Sequence, residues 1–251
     1  MAWPSFPSTI REPCTVTELT TLNGATIAFD LDGTLVDSAP DLIGAINAIL
    51  VAEGLRPLAY EQGRPYVSRG ARWLLQRGLE IAGEREPAAR TAALFGHFID
   101  HYSEHIADES RPFPGAIDAL KVLKAGGARL VVCTNKPTDL SRNLLARLDM
   151  AELFDGVVGM DAVTAPKPDP AHLIEAVDAV GGDLSRTVMV GDADIDAGAA
   201  RAAGTPLILV GFGYTEIPAA QLAPDVLLHR FDDLAGACAA LLGRTRSARP
   251  A

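Results

Sequence analysis

Three apolar runs each end in residues that can do chemistry. Ala25–Phe29 (ATIAF) stops at Asp30 and Asp32, within Asp30-Leu-Asp-Gly-Thr34. Ala128–Cys133 (ARLVVC) stops at Thr134 and Asn135, and Thr187–Val190 (TVMV) stops at Gly191-Asp192, with Asp194 and Asp196 close behind. Runs that are apolar on both faces suit the interior of a parallel sheet, and open α/β sheets bind ligands at the carboxyl ends of their strands. Such a sheet gathers several carboxylates and a hydroxyl at one edge. Carboxylates so crowded repel and raise one another's pKa. A hard divalent cation relieves that, and Mg²⁺ suits a site of few protein carboxylates completed by phosphate oxygens. A lysine relieves it too. Lys167 stands in Ala165-Pro-Lys-Pro-Asp169, where a proline on each side restricts the backbone and aims the side chain.

Each residue also has a plainer use. Asp30, Asp32 and Asp192 could shape Asx turns after strands, and Thr134 could bond the backbone at a strand end. Asp196 could do no more than face a helix dipole, and Asp194 reads as solvent-facing. Lys167 could be an exposed loop lysine.

The positioning elements follow from the hydrophobic pattern. Gly156–Gly159 (GVVG) and Pro206–Val210 (PLILV) add two more strands. Helical patterns lie between the strands: Gly115–Ala125, Thr138–Leu148 with an apolar stripe, and Pro170–Val180 with proline at its start and Gly181-Gly182 at its end. The alternation predicts an α/β fold, a Rossmann-like doubly wound parallel sheet. One interval breaks the rhythm. Asp30 and Thr134 lie 104 residues apart, whereas a βαβ unit needs only about 30. The insert, 40–111, reads as all-helical, with apolar periodicity in Asp41–Ala52, Ser68–Ile81 and Pro87–Ile106. Arg111-Pro-Phe-Pro-Gly115 reads as a stiff, strand-breaking return. The expected organisation is an N-terminal arm (1–24), a core (25–39 and 112–243), an inserted helical domain (40–111) and a short tail (244–251).

Asp30-Leu-Asp-Gly-Thr34, Cys133-Thr-Asn135, Lys167-Pro168 and Gly191-Asp192-Ala-Asp-Ile-Asp196 occur in this order. Together they resemble the haloacid-dehalogenase-like phosphohydrolases, with the insert as that family's small cap. Phe29–Leu42, Val67-Ser-Arg-Gly-Ala71, Arg111–Gly115 and Gly211-Phe-Gly-Tyr-Thr215 are similar to the phosphoglycolate phosphatases. The resemblance implies that Asp30 is the nucleophile and forms an aspartyl-phosphate, and that Asp32 protonates the leaving alkoxide and then activates water. It implies that Thr134 and the backbone of Asn135 bind phosphoryl oxygens, that Gly33 and Thr34 turn the chain, and that Lys167 neutralises charge; Gly33, Asn135, Arg69 and Gly70 are the expected substrate-binding residues. It assigns Mg²⁺ to Asp30, the Asp32 carbonyl and Asp192, with Asp196 orienting a bound water or Lys167. Ala193 departs from the family's Ser or Thr. The implied activity is Mg²⁺-dependent hydrolysis of a small phosphomonoester, with 2-phosphoglycolate favoured over another small ester. A sugar-phosphate phosphomutase and a non-catalytic binding protein are the alternatives. A dehalogenase would not carry Asp32, and a Schiff-base phosphonate hydrolase needs a lysine in the cap, yet no lysine precedes Lys121.

Two constellations in the insert call for a reading of their own. Arg64, Arg69, Arg72 and Arg77 cluster, and Arg69, beside Gly70, is the candidate for a substrate carboxylate. His97, His101 and His105 recur every four residues, a spacing that could present a metal face but more often marks the rim of a core stripe.

Composition limits the partners. The net charge is −10, with only four lysines in 251 residues, which argues against nucleic-acid and anionic-membrane partners without excluding small anionic ligands; the resemblance implies a small phosphomonoester as the partner. Three widely spaced cysteines, Cys14, Cys133 and Cys238, suit a reducing compartment. With no signal peptide or membrane span legible, a cytoplasmic location is expected.

Overall fold

Both faces of each central strand are apolar, and the two faces feed different cores. In β1 (Thr26–Phe29), Ile27 and Phe29 point to one core and Ala28 to the other. The same alternation divides β4 (Arg129–Thr134), β6 (Thr187–Gly191) and β7 (Leu207–Val210). A strand buried on both sides must be covered by helices on both sides. The computed structural model, which describes residues 20–247, has that architecture. Most of the expected N-terminal arm, Cys14 and the end of the tail lie outside these residues.

The main sheet is parallel throughout, with strand order β5-β4-β1-β6-β7-β8. Here β5 is Gly156–Gly159 and β8 is Val226–Leu228. The chain builds outward from β1 to β5, then crosses back and builds outward through β6 to β8. That reversal puts the topological switch point beside β1. The order is that of the Rossmann sheet, as expected.

One core cluster takes in the apolar faces of α5 (Ala116–Ala125), α6 (Thr138–Arg147) and α9 (Leu234–Ser247). The other takes in α7 (Pro170–Ala179) and α8 (Asp194–Ala203), where Ala197 and Ala200 allow close approach to the sheet. Between β1 and β4 in the chain lie α1 (Ala39–Ala52), α2 (Tyr60–Gly63), a 3₁₀ segment (Arg64–Arg69), α3 (Ala71–Ala82) and α4 (Pro87–Glu104). Their buried residues, among them Ile46, Leu74, Leu79, Phe98 and Tyr102, join the first cluster. Truncating a buried aromatic such as Phe98 costs about 3–5 kcal/mol.

Four expectations are corrected. The return at Arg111 is not strand-breaking: β3 (Arg111–Pro112) pairs antiparallel with β2 (Val36–Asp37). Proline is tolerated there because a two-stranded ribbon leaves an edge where no amide hydrogen is needed. The second helix of the insert begins at Ala71, not Ser68, because residues 64–69 wind more tightly. Trp73, counted with the apolar periodicity, is 42% exposed. Strand β8 was absent from the expected set because Val226–Leu228 is too short to announce itself in sequence.

Asp41 ties the entry of the insert to its exit. Its carboxylate is buried and accepts from the Glu109 and Ser110 amides, at 2.9 and 2.8 Å, and from Ser110 Oγ at 2.6 Å. Among the described residues no helix is long and apolar enough to cross a membrane. Cys133 and Cys238 are free and buried, and burial pushes the Cys133 thiol up to about 12.

Candidate active site

The carboxyl ends of β1, β4 and β6, three adjacent strands, bring their polar residues to one place. Asp30 continues β1 through a bond from its amide to the Val190 carbonyl, 2.9 Å. Asp30, Asp192 and Asp196 are all buried, and each offers a carboxylate oxygen within 4.8 Å of the others. Lys167 reaches this group from the loop before α7. Its Nζ lies 2.9 Å from Asp30 Oδ1 and 2.7 Å from Asp196 Oδ1.

The lysine is held from behind. The Asn135 side chain bonds both sides of the Lys167 backbone, accepting from its N–H at 3.1 Å and donating to its carbonyl at 2.9 Å. His172 Nδ1 also accepts from the Lys167 amide, 3.2 Å, while Nε2 meets the Val158 carbonyl at 3.2 Å. This network requires the neutral tautomer with hydrogen on Nε2. Burial, reinforced by the Lys167 charge, lowers His172 to about 4, which keeps that tautomer. The Lys167–Pro168 bond is cis.

Asp196 spends both oxygens inside the protein. Oδ1 takes Lys167, and Oδ2 accepts from the amides of Asp192 and Ala193, at 3.0 and 3.1 Å, at the start of α8. It is a helix-start carboxylate and a lysine anchor at once. Asp192 is held by Ser68 Oγ at 2.8 Å, the Tyr214 amide at 2.7 Å and, more weakly, Thr34 Oγ1 at 3.4 Å. Two glycines permit this crowding. A Cβ on Gly33, whose φ is +85°, would stand 2.5 Å from Asp192 Oδ2, and one on Gly213 would stand 2.2 Å from Asp192 Cβ.

The electrostatics are unbalanced. Three buried carboxylates face one ammonium, so the cluster carries two uncompensated negative charges when fully ionised. Burial pushes the Asp30 carboxyl up to about 6 against the pull of Lys167. Burial, then Asp196 and Asp30, lifts Asp192 well above the carboxylate range. A divalent cation would reverse that logic. The donor set is all oxygen and hard, as such a cation requires.

Asp32 belongs to a second group. Ser38 Oγ donates to its Oδ1 at 2.5 Å, and Lys136 Nζ lies 3.2 and 3.1 Å from its two oxygens. Lys136 also donates to Tyr102 Oη at 2.7 Å. Asp30, Asp32, Thr134, Asn135 and Lys136 line one cavity, closed by Leu42, Val67, Ser68, Gly70 and Ala71 from the insert side. Thr134 Oγ1 accepts from the Lys136 amide at 3.2 Å, which leaves its own hydrogen to offer.

Several expected residues sit differently from expectation. The Gly33 amide donates to the Val36 carbonyl at 2.9 Å, so Gly33 serves the turn and not a substrate oxygen. Gly70 lines the cavity, but Arg69 does not. Its guanidinium pairs with Glu216 at 2.8 Å and Asp194 at 3.2 Å, because those two acids present the nearest negative charge. Asp194 is therefore a half-exposed ion-pair partner, not merely solvent-facing. The neighbouring arginines are engaged as well: Arg64 with the Phe212 carbonyl, Arg72 over Phe95 and Arg77 with Glu80. The His101 and His105 rings lie tilted to one another with centroids 4.6 Å apart, and His105 meets Asp108 at 2.7 Å. Among the described residues the one cluster of three close ligating side chains is the aspartate group.

Ser38, Ser68, Tyr102, Lys136, His172, Gly213 and Tyr214 were not singled out from sequence. Ser38, Ser68, Gly213 and Tyr214 lie within the family-like stretches, and Lys136 carried a signal of its own, whereas Tyr102 and His172 carried none. Lys136 is one of four lysines and directly follows Thr134-Asn135, and Gly213-Tyr214 lies just past the last expected strand.

Comparison with known proteins agrees with this geometry. Residues 25–204 match the model of the haloacid dehalogenase-like hydrolases. A phosphoglycolate phosphatase of Caulobacter vibrioides is 54% identical over 88% of this chain and 93% of its own length. One from Agrobacterium fabrum is 40% identical over 81% and 87%. A crystal structure from Haemophilus somnus, described as a predicted phosphoglycolate phosphatase, superposes with a TM-score of 0.77 at 31% identity, covering 86% of this chain and 98% of that one. CbbY from Rhodobacter sphaeroides, in complex with phosphate, has a TM-score of 0.70 at 26% identity, covering 84% and 96%.

Proposed function

Because the chain belongs to the haloacid dehalogenase-like hydrolases, within the phosphoglycolate phosphatase family, we propose that it hydrolyses 2-phosphoglycolate to glycolate and phosphate. The observation that carries this reading is the Asp30–Lys167–Asp196 chain at the edge of a sheet whose next strand ends in Thr134. A nucleophilic carboxylate beside a fixed ammonium is what attack on a phosphate ester requires.

Asp30 attacks phosphorus through one carboxylate oxygen, and the bond from phosphorus to the ester oxygen breaks. Asp32 gives its proton to the departing alkoxide. Lys167 offsets the charge shared by Asp30 and the phosphoryl group, and the Thr134 hydroxyl and the Asn135 amide donate to phosphoryl oxygens. In the second half Asp32 takes a proton from water as that water attacks phosphorus, and the aspartyl bond breaks. Asp30 is freed and phosphate leaves.

Mg²⁺ is the metal we assign. Asp30, Asp192 and the Asp32 main-chain carbonyl would hold it, and when bound it neutralises phosphoryl charge. Asp196 stays outside the ligand set, since both its oxygens are already engaged. The helices of 40–111 act as a cap over the core of 25–39 and 112–243, excluding water from the reaction.

Phosphate release from 2-phosphoglycolate, phosphoserine, sugar phosphates and pyrophosphate tests the reading. The expected result is the highest kcat/KM on 2-phosphoglycolate, abolished by EDTA and restored by Mg²⁺. Full activity in chelator would remove the metal assignment. An isomerised sugar phosphate without net phosphate release would replace hydrolysis by a mutase reaction.

A further inference from the structure

Resting on that reading of the site, we propose that Lys136, together with the Tyr102 hydroxyl, binds the carboxylate of the leaving group and so sets the enzyme's preference for it. Lys136 directly follows Asn135, and its side chain is only 5% exposed. Among the residues lining the cavity it is the sole cation. Lys167 is committed to Asp30 and Asp196, and Arg69, the other candidate, is committed to Glu216 and Asp194.

Position makes the assignment. Asp32 must touch the ester oxygen to protonate it. In 2-phosphoglycolate one methylene separates that oxygen from the carboxylate carbon. A cation 3.1 Å from the Asp32 carboxylate, in the same cavity, is therefore within reach of the substrate carboxylate. An ammonium has three hydrogens to donate. Asp32 and Tyr102 take two directions, and the substrate takes the third.

Tyr102 completes the pocket. Its oxygen accepts from Lys136 at 2.7 Å, so its own hydrogen is left to donate. Burial raises the phenol above its ordinary pKa and keeps it a donor. The ammonium also lies over the Tyr102 ring, 4.5 Å from its centroid. Tyr102 comes from α4 and Lys136 from the end of β4, so the carboxylate site joins the insert to the sheet. Leu42, Val67 and Leu140 also line the cavity, and they supply no second cation for a leaving-group carboxylate.

The test compares 2-phosphoglycolate with 2-hydroxyethyl phosphate, which has a hydroxymethyl in place of the carboxylate. The wild-type enzyme is expected to prefer the carboxylate ester. Lys136→Met is expected to lower kcat/KM for both esters, since Asp32 loses its partner, and to lower the preference itself by about 100-fold, mainly through KM. Losses of that size, about 2.7 kcal/mol, are usual when one partner of a buried charge pair is truncated. Tyr102→Phe keeps the Lys136–Asp32 pair and should lower the preference by about tenfold. Glycolate should inhibit the wild-type enzyme competitively and Lys136→Met much less.

An equal loss on both esters in Lys136→Met would confine Lys136 to serving Asp32 and overturn the proposal. A wild-type enzyme with no preference would instead overturn the substrate reading, and this inference with it. Thermal melts establish whether Lys136→Met folds. Should it not, Tyr102→Phe decides alone, and a wild-type preference in that variant overturns the proposal.

Discussion

Two buried lysines pair with aspartates, Lys167 with Asp30 and Asp196 and Lys136 with Asp32, and they are built on different foundations. Lys167 sits among groups contributed by the sheet and the helices packed on it: Asp30 after β1, Asp192 after β6, Asp196 in α8, Asn135 after β4 and His172 on α7. Lys136 sits between the sheet and the insert, with Asp32 on one side and Tyr102 of α4 on the other. The first cluster has more carboxylates than its one ammonium can neutralise, and its aspartates could hold a metal ion. The second is balanced, one ammonium to one carboxylate, and keeps hydrogens to offer. The difference suits a division of labour. On the proposed reading, the overcharged cluster handles phosphoryl transfer, and the balanced one reads what is attached to the phosphate.

That comparison can be broken from either side. The largest effect is expected from Asp30→Asn, which removes the proposed nucleophile while keeping the shape. Turnover should fall by about 10⁴-fold or more, with a cooperative melt showing that the fold persists. Near-normal phosphate release in that variant would end the assignment. Next comes Lys167→Met, which leaves Asp30 and Asp196 buried without their cation. The expected loss is about 3–5 kcal/mol of stability, read as a drop in the urea midpoint, together with loss of turnover. A variant as stable as wild type would show the carboxylates to be neutral in the resting protein.

His172 gives a graded effect on the same side. Its folded pKa of about 4 lies below the ordinary 6.5. The unfolded chain therefore binds the proton first. The stabilisation is complete above about pH 6.5 and is lost as pH falls toward about 4. Across that window roughly 3 kcal/mol disappears. Urea unfolding at pH 7 and at pH 4.5 should show the difference in wild type and a flatter dependence in His172→Gln. An equally steep acid limb in the variant would assign the loss to other groups. The smallest effect is expected from Arg69→Ala. Its partners are partly exposed, so stability should change by less than about 1 kcal/mol. The preference for 2-phosphoglycolate over 2-hydroxyethyl phosphate should hold within threefold. A large loss of that preference would return Arg69 to the substrate site and weaken the case for Lys136.

Legibility in sequence divides along the same line. The sheet cluster was readable because each member follows a strand, and parallel strands deliver their last residues to one edge. Asp30, Thr134 and Asp192 needed no knowledge of distant packing. Lys167 was readable from its two prolines, although nothing local indicated that Asn135 and His172 clamp its backbone. Apart from Asp32, which follows β1, the assembly of the Lys136 cluster was not readable. Its members, Asp32, Ser38, Tyr102 and Lys136, span the insert, and contacts between a helix face and a strand end leave no spacing in the chain. Arg69 misled for the same reason: an arginine beside a glycine says nothing of which carboxylate it will meet. Pro112 misled locally, since its place on a two-residue ribbon depends on Val36 coming back to meet it.

By itself the sequence determined the α/β architecture, the helical nature of the insert and the set of aspartates with their lysine. These follow from local periodicity and from residues at strand ends, where chain order and spatial order coincide. Tertiary structure alone decided how the charges pair. It assigned Asp196 to Lys167 and two amides, Arg69 to Glu216 and Asp194, and Lys136 to Asp32 and Tyr102. A buried charge must find its counter-charge within a few ångströms or lose its ionisation, and which groups come that close is set by packing across the whole chain.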